Sequence, residues 1–64
     1  MENLYYWVLK DEEGVLRPLA GMWPAEGHVA NYVQPDIDKL LSRKGFENHK
    51  VVKIKLVETG EVNK

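Results

Sequence analysis

The six residues Leu4–Leu9 form an unbroken, aromatic-rich apolar run, and no other stretch restricts the fold as strongly. A run this short, closed by Lys10, Asp11, Glu12, Glu13 and Gly14, has the length of a strand rather than of a helix. Alternation then sends Leu4, Tyr6 and Val8 to one face and Tyr5, Trp7 and Leu9 to the other. A strand apolar on both faces requires that both faces of its sheet be covered. One helix covers only one of them. The second is left to the chain's own connections, to another subunit or to a ligand.

The segments that follow supply candidates for that cover. Val15–Ala20 reads as the return strand of a hairpin, with Gly14 giving the positive φ that a short hairpin loop uses. Pro18 cannot donate a ladder hydrogen bond, so this strand is placed at an edge or carries a bulge, which leaves the first strand at the centre. From Gly21 to Gln34 the chain is punctuated by Gly21, Pro24 and Gly27 yet carries Met22, Trp23, Val29, Ala30, Tyr32 and Val33. It is too apolar for a solvated loop, and an ordered, packed connection is expected, with a short strand or helical turn over His28–Val33; either this connection covers the second face, with Trp23 and Tyr32 folded under the sheet, or an interface does. Pro35 fits the first position of a helix, with Asp36 and Asp38 near its positive end. Ile37, Leu40 and Leu41 share one face, Arg43 and Lys44 suit the negative end, and Gly45 reads as the cap with Phe46 folding back. Val51–Val57 alternates, with Val52, Ile54 and Leu56 on one side and Val51, Lys53, Lys55 and Val57 on the other. The expected architecture is a small single-layer α+β domain of ββαβ order, a three-stranded sheet ordered 2-1-3 with one helix packed on one face. Residues 1–58 form the domain and 59–64 a flexible tail.

Size sets the energetic frame. A chain of 64 residues buries only about 60% of the surface its unfolded form exposes. An apolar fraction of 44% is ordinary for a globular chain. Domains this small commonly draw support from a disulfide, a metal or a partner. Cysteine is absent, which excludes disulfide frameworks, thiolate metal sites and thiol catalysis, and makes self-association as a homodimer the expected support. No run approaches the ~18 apolar residues of a membrane span, and no secretory leader is recognisable at the start, so a cytoplasmic protein without membrane contact is expected.

A net charge of −1 conceals a polarised chain. Residues 1–38 carry a balance of −5, residues 39–55 a balance of +5, and the remainder −1.

The reactive inventory is short. Ser42 has neither His28 nor His49 at a spacing suited to a nucleophile–base pair, and Asp36 and Asp38, two apart on a helix, diverge. The histidines lack metal-ligand spacing, and the scattered glycines form no phosphate loop, so no catalytic residue, metal or cofactor is assigned. The expected function is a non-catalytic interaction protein, an accessory or inhibitor-type module that occupies a protein partner through Tyr5, Trp7, Leu9, Trp23 and Tyr32, since aromatic residues anchor protein contacts. The alternative is a small-ligand, nucleotide or single-stranded nucleic-acid binder in which Lys53 and Lys55 lie beside the aromatic rings of the first strand.

Overall fold

The computed structural model describes residues 4–63, with only the backbone at Val29. Met1–Asn3 and Lys64, read from sequence as the domain's start and the tail's end, lie outside the described residues. Three antiparallel strands, β1 (Tyr5–Lys10), β2 (Met22–Pro24) and β3 (Lys50–Lys55), form one sheet in the order β2-β1-β3. A 3₁₀ turn over His28–Tyr32 leads into one helix, α1 (Gln34–Leu41). This is the α+β architecture expected from sequence, with the doubly apolar strand in the middle.

The first hairpin turn forms as its residues dictate. Gly14 has φ +84°, and its N–H donates to the Asp11 carbonyl at 3.0 Å. The return segment differs from expectation. In place of a strand over Val15–Ala20, only Leu16 bridges β1, opposite Lys10, and residues 18–20 form a turn. The N–H groups of Ala20 and Gly21 both donate to the Arg17 carbonyl, closing a turn in which Pro18 has no N–H to offer a ladder. Leu9 marks the break. Its carbonyl accepts from Arg17 N–H at 2.7 Å while its own N–H donates to the Gly21 carbonyl at 3.0 Å, so the intervening residues are looped out as a large bulge. The second strand is therefore Met22–Pro24, taken from the segment expected to be a packed connection. That connection widens the sheet instead.

The helix also differs at both ends. It begins at Gln34, so Pro35 is its second residue, and Val33 before it makes no side-chain cap. It stops at Leu41, with Ser42 as the cap: its N–H donates to the Asp38 carbonyl at 3.1 Å and its hydroxyl to the Lys39 carbonyl at 2.8 Å. A serine bonding back to the preceding turn competes with further helix. Gly45 does take the left-handed conformation, φ +95°, but in a turn beyond the helix rather than at its cap. The third strand ends at Lys55, two residues earlier than its apolar alternation suggests, and 56–63 carry no regular structure.

Register assigns the faces. Tyr5, Trp7 and Leu9 lie opposite Lys55, Lys53 and Val51, and Trp7 opposite Trp23 on β2, so these share one face. The helix packs there: Ile37 and Leu41 line a pocket with Trp7 and Val51, and Leu40 lies over Gly21. Tyr6, Val8, Val52, Ile54 and Met22 share the opposite face. The buried apolar core comprises Val8, Leu9, Val33 and Ile37, with Val8 fully buried and Leu9 1% exposed, one on each face of the central strand. The molecule is only 18 Å thick along its shortest axis, the depth of a sheet plus one helix layer.

Two glycines are expected to respond differently to a side chain. A Cβ on Gly21 would lie 2.6 Å from Cη2 of Trp23 and 3.0 Å from Cδ2 of Leu40. Gly21→Ala should cost about 1–3 kcal/mol through overpacking. A Cβ on Gly45 meets nothing within 4 Å, so Gly45→Val should cost roughly 1 kcal/mol from its positive φ alone. Urea denaturation followed by tryptophan fluorescence separates the cases. An unchanged midpoint in Gly21→Ala would show that Trp23 does not pack there.

Candidate functional site

The helix face of the sheet gathers most of the residues nominated from sequence. Period-two alternation places Tyr5 and Trp7 of β1 beside Lys55 and Lys53 of β3. Lys53 Nζ lies 5.1 Å and Lys55 Nζ 5.9 Å from the centre of the Tyr5 ring, within cation–π range. The alternative surface nominated from sequence, two lysines beside an aromatic ring, is thus assembled as a contiguous cluster. Tyr5 is half-buried and both lysines are exposed.

Next to this cluster, a pocket of about 260 Å³ opens between α1 and the start of β3. Trp7, Ile37, Leu41 and Val51 supply its apolar lining, and Gln34, His49 and Lys50 its polar residues. Gln34 is held by a 2.8 Å bond from its Nε2 to Asp38 Oδ1, one helical turn on. His49 stacks on Phe46, ring centres 4.6 Å apart at 26°, and its Nδ1 is buried without a hydrogen-bond partner among the described residues. A buried polar atom without a partner costs free energy.

The remaining nominated residues take other parts. Trp23 is half-buried on the same face, against Gly21 and close to Leu40, where it acts as packing between β2 and the helix. Leu9 is a core residue beneath them. Tyr32 is 65% exposed on the 3₁₀ turn, where its ring meets His28 edge-on at 5.4 Å. The five aromatic and aliphatic candidates therefore do not form one exposed patch.

A second surface lies where the sequence predicts a strand over residues 15–20 and the structure has a loop. In that loop Leu19 is fully exposed, and Val15 and Leu16 are exposed beside it. The signal was Pro18, which excludes ladder pairing and turns the neighbouring apolar residues outward. The loop is held at its base by Asp11, whose Oδ1 accepts from the N–H groups of Glu13 and Val15 at 2.9 Å each, while Oδ2 accepts from Arg17 Nε at 2.9 Å. The Val15 N–H is the largest influence holding the Asp11 carboxyl below its ordinary 3.8; desolvation opposes it, and Arg17 and the Glu13 N–H act with it. Glu47 is also lowered, first by its own backbone N–H and then by that of Gly45.

Among the described residues, no group of three or more histidine or acidic side chains is placed to hold a metal ion, and no helix is long and apolar enough to cross a membrane. No known protein family, curated protein or solved structure matches this chain.

The Asp11 contacts have a pH signature. A carboxyl with a folded pKa below its unfolded value contributes stability that is fully present above the unfolded value and is lost as pH falls through the lowered folded value. Thermal stability should therefore decline below the ordinary 3.8 of Asp11. Asp11→Asn should show a shallower decline in melts recorded between neutral pH and strong acid. An identical acid profile in the variant would remove Asp11 as the clamp.

Proposed function

We propose that this chain is a small non-catalytic interaction protein, homodimeric and cytoplasmic, which acts by occupying the surface of a protein partner. One observation carries the reading. Among the described residues, four apolar side chains make up the buried core, whereas nine large hydrophobic residues are exposed, including Leu16, Leu19, Met22, Tyr32 and Val57. Single exposed apolar residues are ordinary on any protein. Here they outnumber the core, and Leu16 and Leu19 sit with Val15 on a loop tied down by Asp11 and Arg17. A pre-ordered apolar projection suits protein contact because little entropy remains to be lost when it is buried.

The nucleic-acid or nucleotide reading is favoured by the lysine pair over Tyr5. That geometry also limits it. The Lys53 and Lys55 ammonium groups already lie over the Tyr5 ring that a base would stack on, so a ligand would have to displace them.

Sedimentation equilibrium at micromolar concentration should give a mass above the 7.4 kDa monomer, and melting temperature should rise with protein concentration. Leu19→Glu should restore the monomer without unfolding it, because a fully exposed side chain contributes little to folding. A wild-type protein that stays monomeric would sink the dimer. If native-lysate capture recovers nucleotides and no protein, with retention falling steeply as salt rises, the ligand-binding reading would replace the interaction protein.

A further inference from the structure

Among the described residues, nothing pairs with the outer edge of β3. Leu56 N–H donates to the Leu4 carbonyl at 2.7 Å, which sets Leu56 and, by alternation, Ile54, Val52 and Lys50 as the residues whose backbone bonds to β1. The opposite side of β1 confirms the phase, since Leu9 N–H bonds Gly21 and the Tyr5 carbonyl accepts from Ala25. The N–H and C=O groups of Val51, Lys53 and Lys55 therefore point away from the sheet, and no described residue bonds them. These same three residues have side chains on the helix face, where Val51 borders the α1 pocket and the two lysines lie over Tyr5.

Charge selects what can be added at this edge. Residues 39–55 carry a balance of +5, including Lys50, Lys53 and Lys55 on the strand itself. A second copy joined through its own β3, with the two-fold centred on Lys53, would set lysine against lysine, and like charges directly opposite destabilise a strand pair. Lysines on an edge commonly block such self-pairing. They do not block a strand of opposite charge. In an added antiparallel strand, the residues facing Lys55, Lys53 and Val51 would also have side chains on the helix face, the last beside the pocket of Trp7, Ile37, Leu41 and Val51.

We propose that β3 receives an acidic extended segment of a partner protein as a fourth, antiparallel strand, with carboxylates opposite Lys53 and Lys55 and a large apolar side chain in the pocket between α1 and Val51. Read from its N-terminus, the segment has the pattern acid-x-acid-x-apolar. Main-chain bonds to Val51, Lys53 and Lys55 give the affinity, and the lysines and pocket give the selectivity. The inference rests on the interaction reading above and specifies its partner, on a surface separate from the Leu19 loop.

The test is a titration of the isotope-labelled 64-residue chain with the capped peptide Thr-Glu-Thr-Glu-Thr-Leu-Thr, followed by amide NMR shifts and hydrogen exchange up to millimolar peptide. Slowed exchange confined to the amides of Val51, Lys53 and Lys55 is expected, with shifts at the Trp7 indole. Lys53→Glu with Lys55→Glu should weaken binding about tenfold or more, as loss of complementary charge does at other interfaces. Lys53→Pro should abolish binding where Lys53→Gln only weakens it, because proline removes an outward N–H that β1 does not use. Replacing Leu by Asp in the peptide probes the pocket without touching the protein's fold. Absence of binding, unchanged exchange at the three amides, or equal binding of a peptide N-methylated on its β3-facing side would overturn the proposal. So would displacement of the peptide by single-stranded oligothymidylate at lower concentration. A null titration beside concentration-dependent melting sensitive to Leu19→Glu overturns this inference alone, whereas loss of both removes the interaction reading with it.

Discussion

Backbone pairing along both sides of β1 is the constraint from which the rest of the structure follows. The residues of one parity bond to β3 and those of the other to the segment from Arg17 to Ala25. Both kinds of backbone group on β1 are thereby satisfied within the chain, as burial requires. Its side chains then do two things at once. Val8 and Leu9, consecutive in sequence and on opposite faces, are the two largest fully buried side chains. A core built around one strand cannot be deep, and the small buried set together with the thin profile follows from that geometry.

The β2 side of β1 is assembled from two pieces of chain rather than from a continuous strand. Leu9 bonds Arg17 with its carbonyl and Gly21 with its N–H, so the residues between them have no place in the ladder. They are not left loose. Asp11 gathers the Glu13 and Val15 amides and the Arg17 guanidinium, and so fixes the base of the loop that exposes Leu19. A local carboxylate network thus converts a failed strand into an ordered projection. The energetic source is local hydrogen bonding, which explains why an apolar residue can remain in water without a partner inside the fold.

Among the described residues, no further element closes the β3 side, and its exposed edge coincides with the most basic part of the chain. Lys53 and Lys55 are held over Tyr5, while Val51 reaches the α1 pocket one repeat away. Edge, charge and cavity are consequences of a single register. A one-residue slip of β3 would turn the lysines to the opposite face and Val52 toward the helix.

Much of this was legible in the residues themselves. The apolar run Leu4–Leu9 determined a strand with two faces to cover, Pro18 in the neighbouring segment its central place, Asp11 and Gly14 a turn, Ile37 with Leu41 a helix face, and the alternation from Val51 an edge strand with lysines on one side. These are local or period-two signals, and they sufficed for the 2-1-3 order. Only tertiary structure decided which short segment would become β2. Val15–Ala20 and Met22–Pro24 are both apolar and both close in sequence to β1, and the outcome turned on Pro18 lacking an N–H and on Gly21 having no side chain to collide with Trp23 and Leu40. Likewise, the helix ended at Leu41 because Ser42 bonded back to Lys39, although Gly45 carried the stronger stop signal. Sequence pattern determines which faces must be buried; competition among neighbouring segments for the same hydrogen bonds and the same space determines which of them does the burying.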